Sequence, residues 1–161
     1  MSRIVPHLWY ADQAEEAARF YVSLLPDSRI DSVVTMPADS PSGPAGSVQV
    51  IEFTLQGQPF LALNAGPLDP FNHAISFAIN CDDQAEIDRL WAGLSEGGST
   101  EMCGWLKDRY GVSWQIVPTV LGEMMKDTDP VRGRRVAEAM LKMVKLDIAG
   151  LRRAYDGAAA A

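Results

Sequence analysis

The tetrapeptide Asp12-Gln13-Ala14-Glu15 returns as Asp83-Gln84-Ala85-Glu86, 71 residues further on, and Trp91 falls where Phe20 falls. Each copy follows a strand-like run, IVPHLWY (4–10) or HAISFAIN (73–80), and opens a helix-like one. A repeat placed in this way predicts a duplicated module, because a half-sheet that cannot bury its own face gains by joining a second copy. The chain is therefore expected to fold as two similar α+β halves.

Within the first half, Ala14, Ala17, Ala18, Phe20, Tyr21 and Leu24 recur at helical spacing, with Asp12 placed to cap the helix and Pro26-Asp27 to end it. Strands are predicted at 29–36, 47–55 and 59–64, the last two joined through Gln56-Gly57-Gln58 as a hairpin. The unit is βαβββ. In the second half Asp82 and Asp83 cap a helix running through Leu94, Gly97-Gly98 stop it, and short strands follow near 100–107 and 112–117. Segment 37–46 (PADSPSGPAG) has no apolar period and predicts a mobile surface loop, with an active-site lid as the alternative. From Thr119 to Tyr155, Val136, Met140, Met143 and Leu146/Leu151 recur at helical spacing among Arg132, Arg134, Arg135, Lys142 and Lys145, which predicts an amphipathic helical element. It packs on its own domain or on a partner subunit. Ala158–Ala161 is expected to fray.

Composition narrows the partners. A formal charge of −7 repels nucleic-acid backbones and anionic membranes. No run of about 18 apolar residues and no basic-then-apolar start is present, so the reading is a soluble cytoplasmic protein. Cys81 and Cys103 lack CxxC spacing; they are expected to be reduced and to pack as small hydrophobes.

Strand alternation assigns the residues that face away from the helices. In 73–80, Ile75, Phe77 and Ile79 are expected under the helix, leaving Asn72, Ala74, Ser76 and Ala78 on the other face and His73 packed or on the surface. The 71-residue offset then puts His7 and Trp9 on the corresponding face. In 59–64, Leu61 and Leu63 back the helix while Phe60, Ala62 and Asn64 point inward. In DRYGVSWQIVP (108–118), Gly111 takes the turn position needing positive φ, Val112, Trp114 and Ile116 point one way, and Ser113, Gln115 and Val117 the other. A buried Gln115 needs partners, since an unpaired amide costs about 1–3 kcal/mol. The candidate ligand-binding residues are therefore His7, Trp9, Asn64, Asn72, Ser76, Cys103, Trp105 and Gln115. His7 is also a candidate general base; Trp9 and Trp105 are candidate aromatic walls. Cys103 has no base beside it in sequence, and no catalytic residue is assigned. Such a lining suits a small, mostly apolar molecule carrying carbonyl or hydroxyl groups. There is no GxGxxG turn after a strand, no P-loop and no GxSxG elbow.

The stretches PHLWYADQAEEAARFY, NHAISFAINCDDQAEID, CGWLKDRYGVSWQIVP and AEAMLKMVKLDIAGLRRAY carry a resemblance to the vicinal-oxygen-chelate superfamily, and within it to the PhnB-like family labelled demethylubiquinone methyltransferase-like. The resemblance implies a single glyoxalase-like domain over 1–161, with module one at 3–66, module two at 72–118 and a helical tail at 119–157. It implies two βαβββ modules paired into a curved cup-like sheet, helices outside, and a homodimer. Metal-using relatives place ligands at stations that map to Val5 (or Pro6), Ala62, Ala74 and Gln115, the last being a glutamate there. None of these is a donor set for zinc or iron, so no metal and no cofactor are expected. The methyltransferase label finds no glycine-rich turn to hold S-adenosylmethionine. The expected function is binding of a small organic molecule in a metal-free cup. The alternatives are an enzyme of this fold (glyoxalase- or dioxygenase-like) using His7 or an unrecognised metal site, and a resistance or sequestration protein.

Overall fold

A computed structural model describes residues 4–157, so Ala158–Ala161 lies outside the described residues. It contains two compact units, with the chain dividing between Pro70 and Phe71; the first is a βαβββ module and the second a βαβββ module followed by helices.

The first unit holds β1 (His7–Tyr10), α1 (Ala14–Leu24), β2 (Arg29–Thr35), β3 (Gln49–Leu55) and β4 (Gln58–Asn64) in the order β1-β4-β3-β2. β1 runs parallel to β4, and the β3–β4 hairpin turns on Gln56 and Gly57, both with positive φ. Four small or flat residues, Ala14, Ala17, Ala18 and Tyr21, form the buried stripe of α1 and let it lie close on the sheet. Against it stand Leu8, Tyr10, Ile51, Phe53, Phe60 and Ala62, with the Phe53 and Phe60 rings stacked at 5.3 Å and the hydroxyls of Tyr10 and Tyr21 hydrogen-bonded at 3.2 Å. Segment 37–46 folds back on itself, with Ser40 and Gly43 bonded and the Ala45 amide donating to Asp39 Oδ1.

The second unit repeats the plan with β5 (Phe77–Cys81), α2 (Gln84–Ser95), β6 (Ser99–Thr100), β7 (Trp105–Lys107) and β8 (Ser113–Pro118), ordered β5-β8-β7-β6. β5 and β8 are parallel, as β1 and β4 are, so the repeated tetrapeptide marks a repeated topology. Ile87, Leu90 and Leu94 of α2 supply the helix side of a core that also holds Ile79, Leu106, Trp114 and Ile116. Asp83 caps α2 by accepting from the Glu86 amide at 2.8 Å, as expected.

Asp12 does not cap α1. Gln13 stands at the cap position without a side-chain bond, and the Ala14 amide donates instead to Asn64 Oδ1 at 2.6 Å. A carboxamide delivered from β4 has replaced the local cap.

The tail comprises three helices, α3 (Thr119–Met125), α4 (Pro130–Met140) and α5 (Ile148–Asp156). The 136–151 apolar period is broken between them: Asp129 and Asp147 cap α4 and α5 by accepting from the next turn's amides. Leu121, Met124, Val136, Leu146 and Leu151 form one buried cluster, with Val117, Met140 and Met143 packed on it. Arg135 donates to the carbonyls of Ala154 (2.8 Å) and Tyr155 (2.7 Å) and so closes the C-terminal end of α5. These residues pack on their own unit, the plainer of the two readings offered for the tail. No helix among the described residues is long and apolar enough to cross a membrane.

Candidate functional site

The turn that opens the site is organised by one buried carboxylate. Asp108, 2% exposed, accepts from the amides of Tyr110 (2.9 Å) and Val112 (3.0 Å) through Oδ1 and from Trp114 Nε1 (2.8 Å) through Oδ2. Gly111 has φ +88°, a conformation that costs a residue with a β-carbon more than it costs glycine. The turn thereby fixes Trp114 on the buried face of β8 and, by alternation, Ser113, Gln115 and Val117 on the opposite face.

Gln115 pairs in register with Trp105 on β7 and with Ala78 on β5, so the three share a face. Its Nε2 donates to Ser76 Oγ at 2.9 Å, while its carbonyl oxygen has no partner among the described residues. Two residues back, Ser113 Oγ is buried with no hydrogen-bond partner among the described residues.

Beyond Trp105 the chain makes a tight turn in which Cys103 adopts φ +61° and Gly104 φ +80°. A β-carbon at Gly104 would come within 2.7 Å of the Ile116 carbonyl oxygen and 3.0 Å of Leu146, so glycine is required twice over. The tail holds this turn in place: the amides of Cys103 and Gly104 donate to the carbonyls of Met143 (2.7 Å) and Val144 (2.8 Å). The repeated Gln84 anchors the same tail segment, bonding the Leu146 carbonyl and the Ile148 amide. An open depression of about 470 Å³ results, lined by His73, Glu101, Met102, Cys103 and Trp105.

The expected site residues thus divide. Ser76, Trp105 and Gln115 are brought together, and Cys103 joins Trp105 in the depression. Asn72 is exposed and spends its Oδ1 on the Ala74 amide in a local turn. The strand begins at Phe77, so alternation does not extend to 72–76: Ile75 is 74% exposed rather than under the helix, and His73 reaches the depression. His73, Glu101 and Met102 were not foreseen as lining; the turn-forming Pro70-Phe71-Asn72 was the available signal for His73.

In the first unit, His7 is exposed and Trp9 half-buried on the face away from α1, and the Trp9 indole donates to the Gly66 carbonyl at 2.8 Å. Asn64 requires correction. Its register opposite Tyr10 and its bond to Ala14 put it on the α1 side, where its Nδ2 also donates to Gln49 Oε1 at 2.8 Å. Phe60 and Ala62 share that face, so Leu61 and Leu63 are the residues turned away from α1. The expected phase of β4 is reversed, and Asn64 is a structural cap.

The metal stations fare no better as donors. Ala62 packs under α1, Ala74 lies in an exposed turn, and among the described residues no three His, Cys, Asp or Glu side chains converge to hold an ion. The donor set therefore does not fit the metal of the vicinal-oxygen-chelate fold.

The two thiols differ. Burial pushes the Cys81 thiol up to about 12, whereas Cys103 is half-exposed, contrary to the expectation that both are core residues. Titration with a disulfide reagent should label one thiol rapidly in the native protein and the second only on unfolding, and Cys103→Ser should abolish the rapid phase. Equal rates for both thiols would show that the Cys81 core opens freely.

A family model described as 3-demethylubiquinone-9 3-methyltransferase matches residues 2–117. The chain belongs to this family. Among solved structures, the PhnB protein from Bacillus cereus is 32% identical, with a TM-score of 0.65 over 73% of this chain and 100% of that one. Protein PA1353 from Pseudomonas aeruginosa is 26% identical, with a TM-score of 0.56 over 73% and 98%. The fosfomycin resistance protein FosX from Mesorhizobium loti is 14% identical, with a TM-score of 0.53 over 79% and 100%, a likeness of fold alone. No curated protein matches the chain. The chain is thus PhnB-like, with an α+β fold shared with FosX. The match ends one residue before β8 does, so α3, α4 and α5 lie outside it, although the tail sequence contributed to the resemblance. Both strand-to-helix turns of this PhnB-like chain, Ala11-Asp12-Gln13 and Asp82-Asp83, lack glycine and carry acidic residues. They do not fit a cofactor cradled at a glycine-rich turn, and we assign no methyl-transfer step to this chain.

Proposed function

We propose that this PhnB-like protein binds a small, largely apolar organic molecule on the face of its second sheet that carries Gln115, without a metal. The observation supporting this reading is the half-spent Gln115 amide: one donor is fixed by Ser76, and the acceptor oxygen is unspent on a residue paired in register with Trp105. Trp105 offers the flat apolar surface and Gln115 the orienting hydrogen bond, a division usual in small-molecule sites. The proposal takes the protein as a cytoplasmic homodimer. What supports the dimer is apolar surface left on the tail, where Leu141 is 60% and Val144 43% exposed.

The test is Gln115→Leu, which keeps bulk and removes the hydrogen bonds. Small aromatic alcohols and ketones, screened by NMR, should shift the Trp105 indole and Gln115 amide signals. The substitution should weaken the best of them by about 1–3 kcal/mol, roughly five- to 150-fold. Stability should fall by only about 1 kcal/mol, for the lost bond to Ser76. Lost stability with unchanged affinity would make Gln115 a packing residue and remove the anchor of this reading.

A further inference from the structure

The depression beside Gln115 is unevenly furnished. Glu101 lines it half-buried, and its carboxylate has neither an ion pair nor a hydrogen bond among the described residues. The other ionised carboxylates near the second module's tail are mostly engaged: Asp88 pairs with Lys145, Asp147 with Arg153 and Glu138 with Arg134. Trp105 presents an indole and Met102 a polarizable thioether with the residue 48% exposed, while Gln115, paired in register with Trp105 on the same face though not among the lining residues, has an unspent carbonyl oxygen. Lys107 lies two residues along β7 on the same face and, like Gln115, is not part of the lining. Carboxylate, carbonyl oxygen and aromatic face all favour positive charge or hydrogen-bond donors, and the chain's charge of −7 raises the local concentration of cations.

We propose that the molecule bound here is an organic cation, an amine protonated at neutral pH on a flat apolar body, with its ammonium between Glu101 and the Trp105 indole. The inference rests on the binding reading above and names the ligand class for it. The apolar body lies along Met102 and Trp105, and the ammonium donates to Glu101 and to Gln115 Oε1. The ion pair is partly solvated, so its contribution is modest and falls with salt.

The experiment compares benzylamine with benzyl alcohol at pH 7 on the full chain, following the Trp105 indole and Cys103 amide by NMR. Both can donate a hydrogen bond, so the difference isolates charge. Benzylamine should bind about three- to thirtyfold tighter than the alcohol, as expected from a cation–π contact together with a partly exposed ion pair. Glu101→Gln should cut that preference several-fold, and 0.5 M sodium chloride should act in the same direction. Equal binding of the two probes, or a preference insensitive to Glu101→Gln, would overturn the cation inference and leave the binding reading standing. Absence of any shift at Trp105 and Cys103 with either probe would overturn both.

Discussion

Asp108→Ala should destabilise the protein by about 3–5 kcal/mol. The carboxylate is buried and accepts three N–H bonds, and its removal leaves the Tyr110 and Val112 amides and the Trp114 indole without that acceptor. The loss of an acceptor costs about 1–3 kcal/mol where the donor is buried. At this chain length the midpoint should drop by roughly 6–20 °C, using about 2–4 °C per kcal/mol. Asp108→Asn retains one acceptor oxygen and should lose less. The effect reaches the site, because the same turn sets the face on which Gln115 emerges. A melting midpoint for Asp108→Ala within a degree or two of the parent would show that the turn does not depend on this residue.

Deleting residues 130–161 should be more damaging still. The cut removes Val136, Leu146 and Leu151, each at most 1% exposed, and uncovers Leu121 and Met124. Burial of such side chains is worth about 1.5–3 kcal/mol apiece, and the total for three approaches the whole stability of an ordinary domain. It also removes the Met143 and Val144 carbonyls that hold the Cys103–Gly104 turn. Aggregation in size-exclusion chromatography is the expected result. A milder variant, Leu146→Ala, should cost about 2–5 kcal/mol and remain soluble. A truncated chain as soluble and as well ordered at Cys103 as the parent would show the tail to be dispensable.

Much of this architecture is legible because the repeat and the hairpin are local signals. Asp83 caps α2 as its position suggests, and the two-residue turn Gln56-Gly57 joins β3 to β4. The facing of Gln115 is legible too, since Trp114 and Ile116 beside it are bulky and belong to one buried side. β4 is different. Phe60 and Ala62 alternate with Leu61 and Leu63, so both faces are apolar and hydrophobicity cannot choose the phase. Only the stacking of Phe60 on Phe53, a contact between strands, decides it. Asn64 reads as a ligand group for the same reason, although its amide satisfies the start of α1 from 50 residues away. At 72–76 the alternation of Ile75 with Phe77 and Ile79 imitates a strand, while the Asn72 side chain bonds the Ala74 amide and forms a turn. The tail's period runs through the break between α4 and α5 because Met143 and Leu146 pack from that turn into the same cluster as the helices.

Native mass spectrometry of the protein purified from its own cells tests the central claim most directly. The account predicts chains carrying a small organic molecule, retained by the parent and lost from Trp105→Ala, whose indole lines the depression beside Gln115. A parent protein whose mass is that of the bare chain, or of the chain plus one divalent ion, would contradict it.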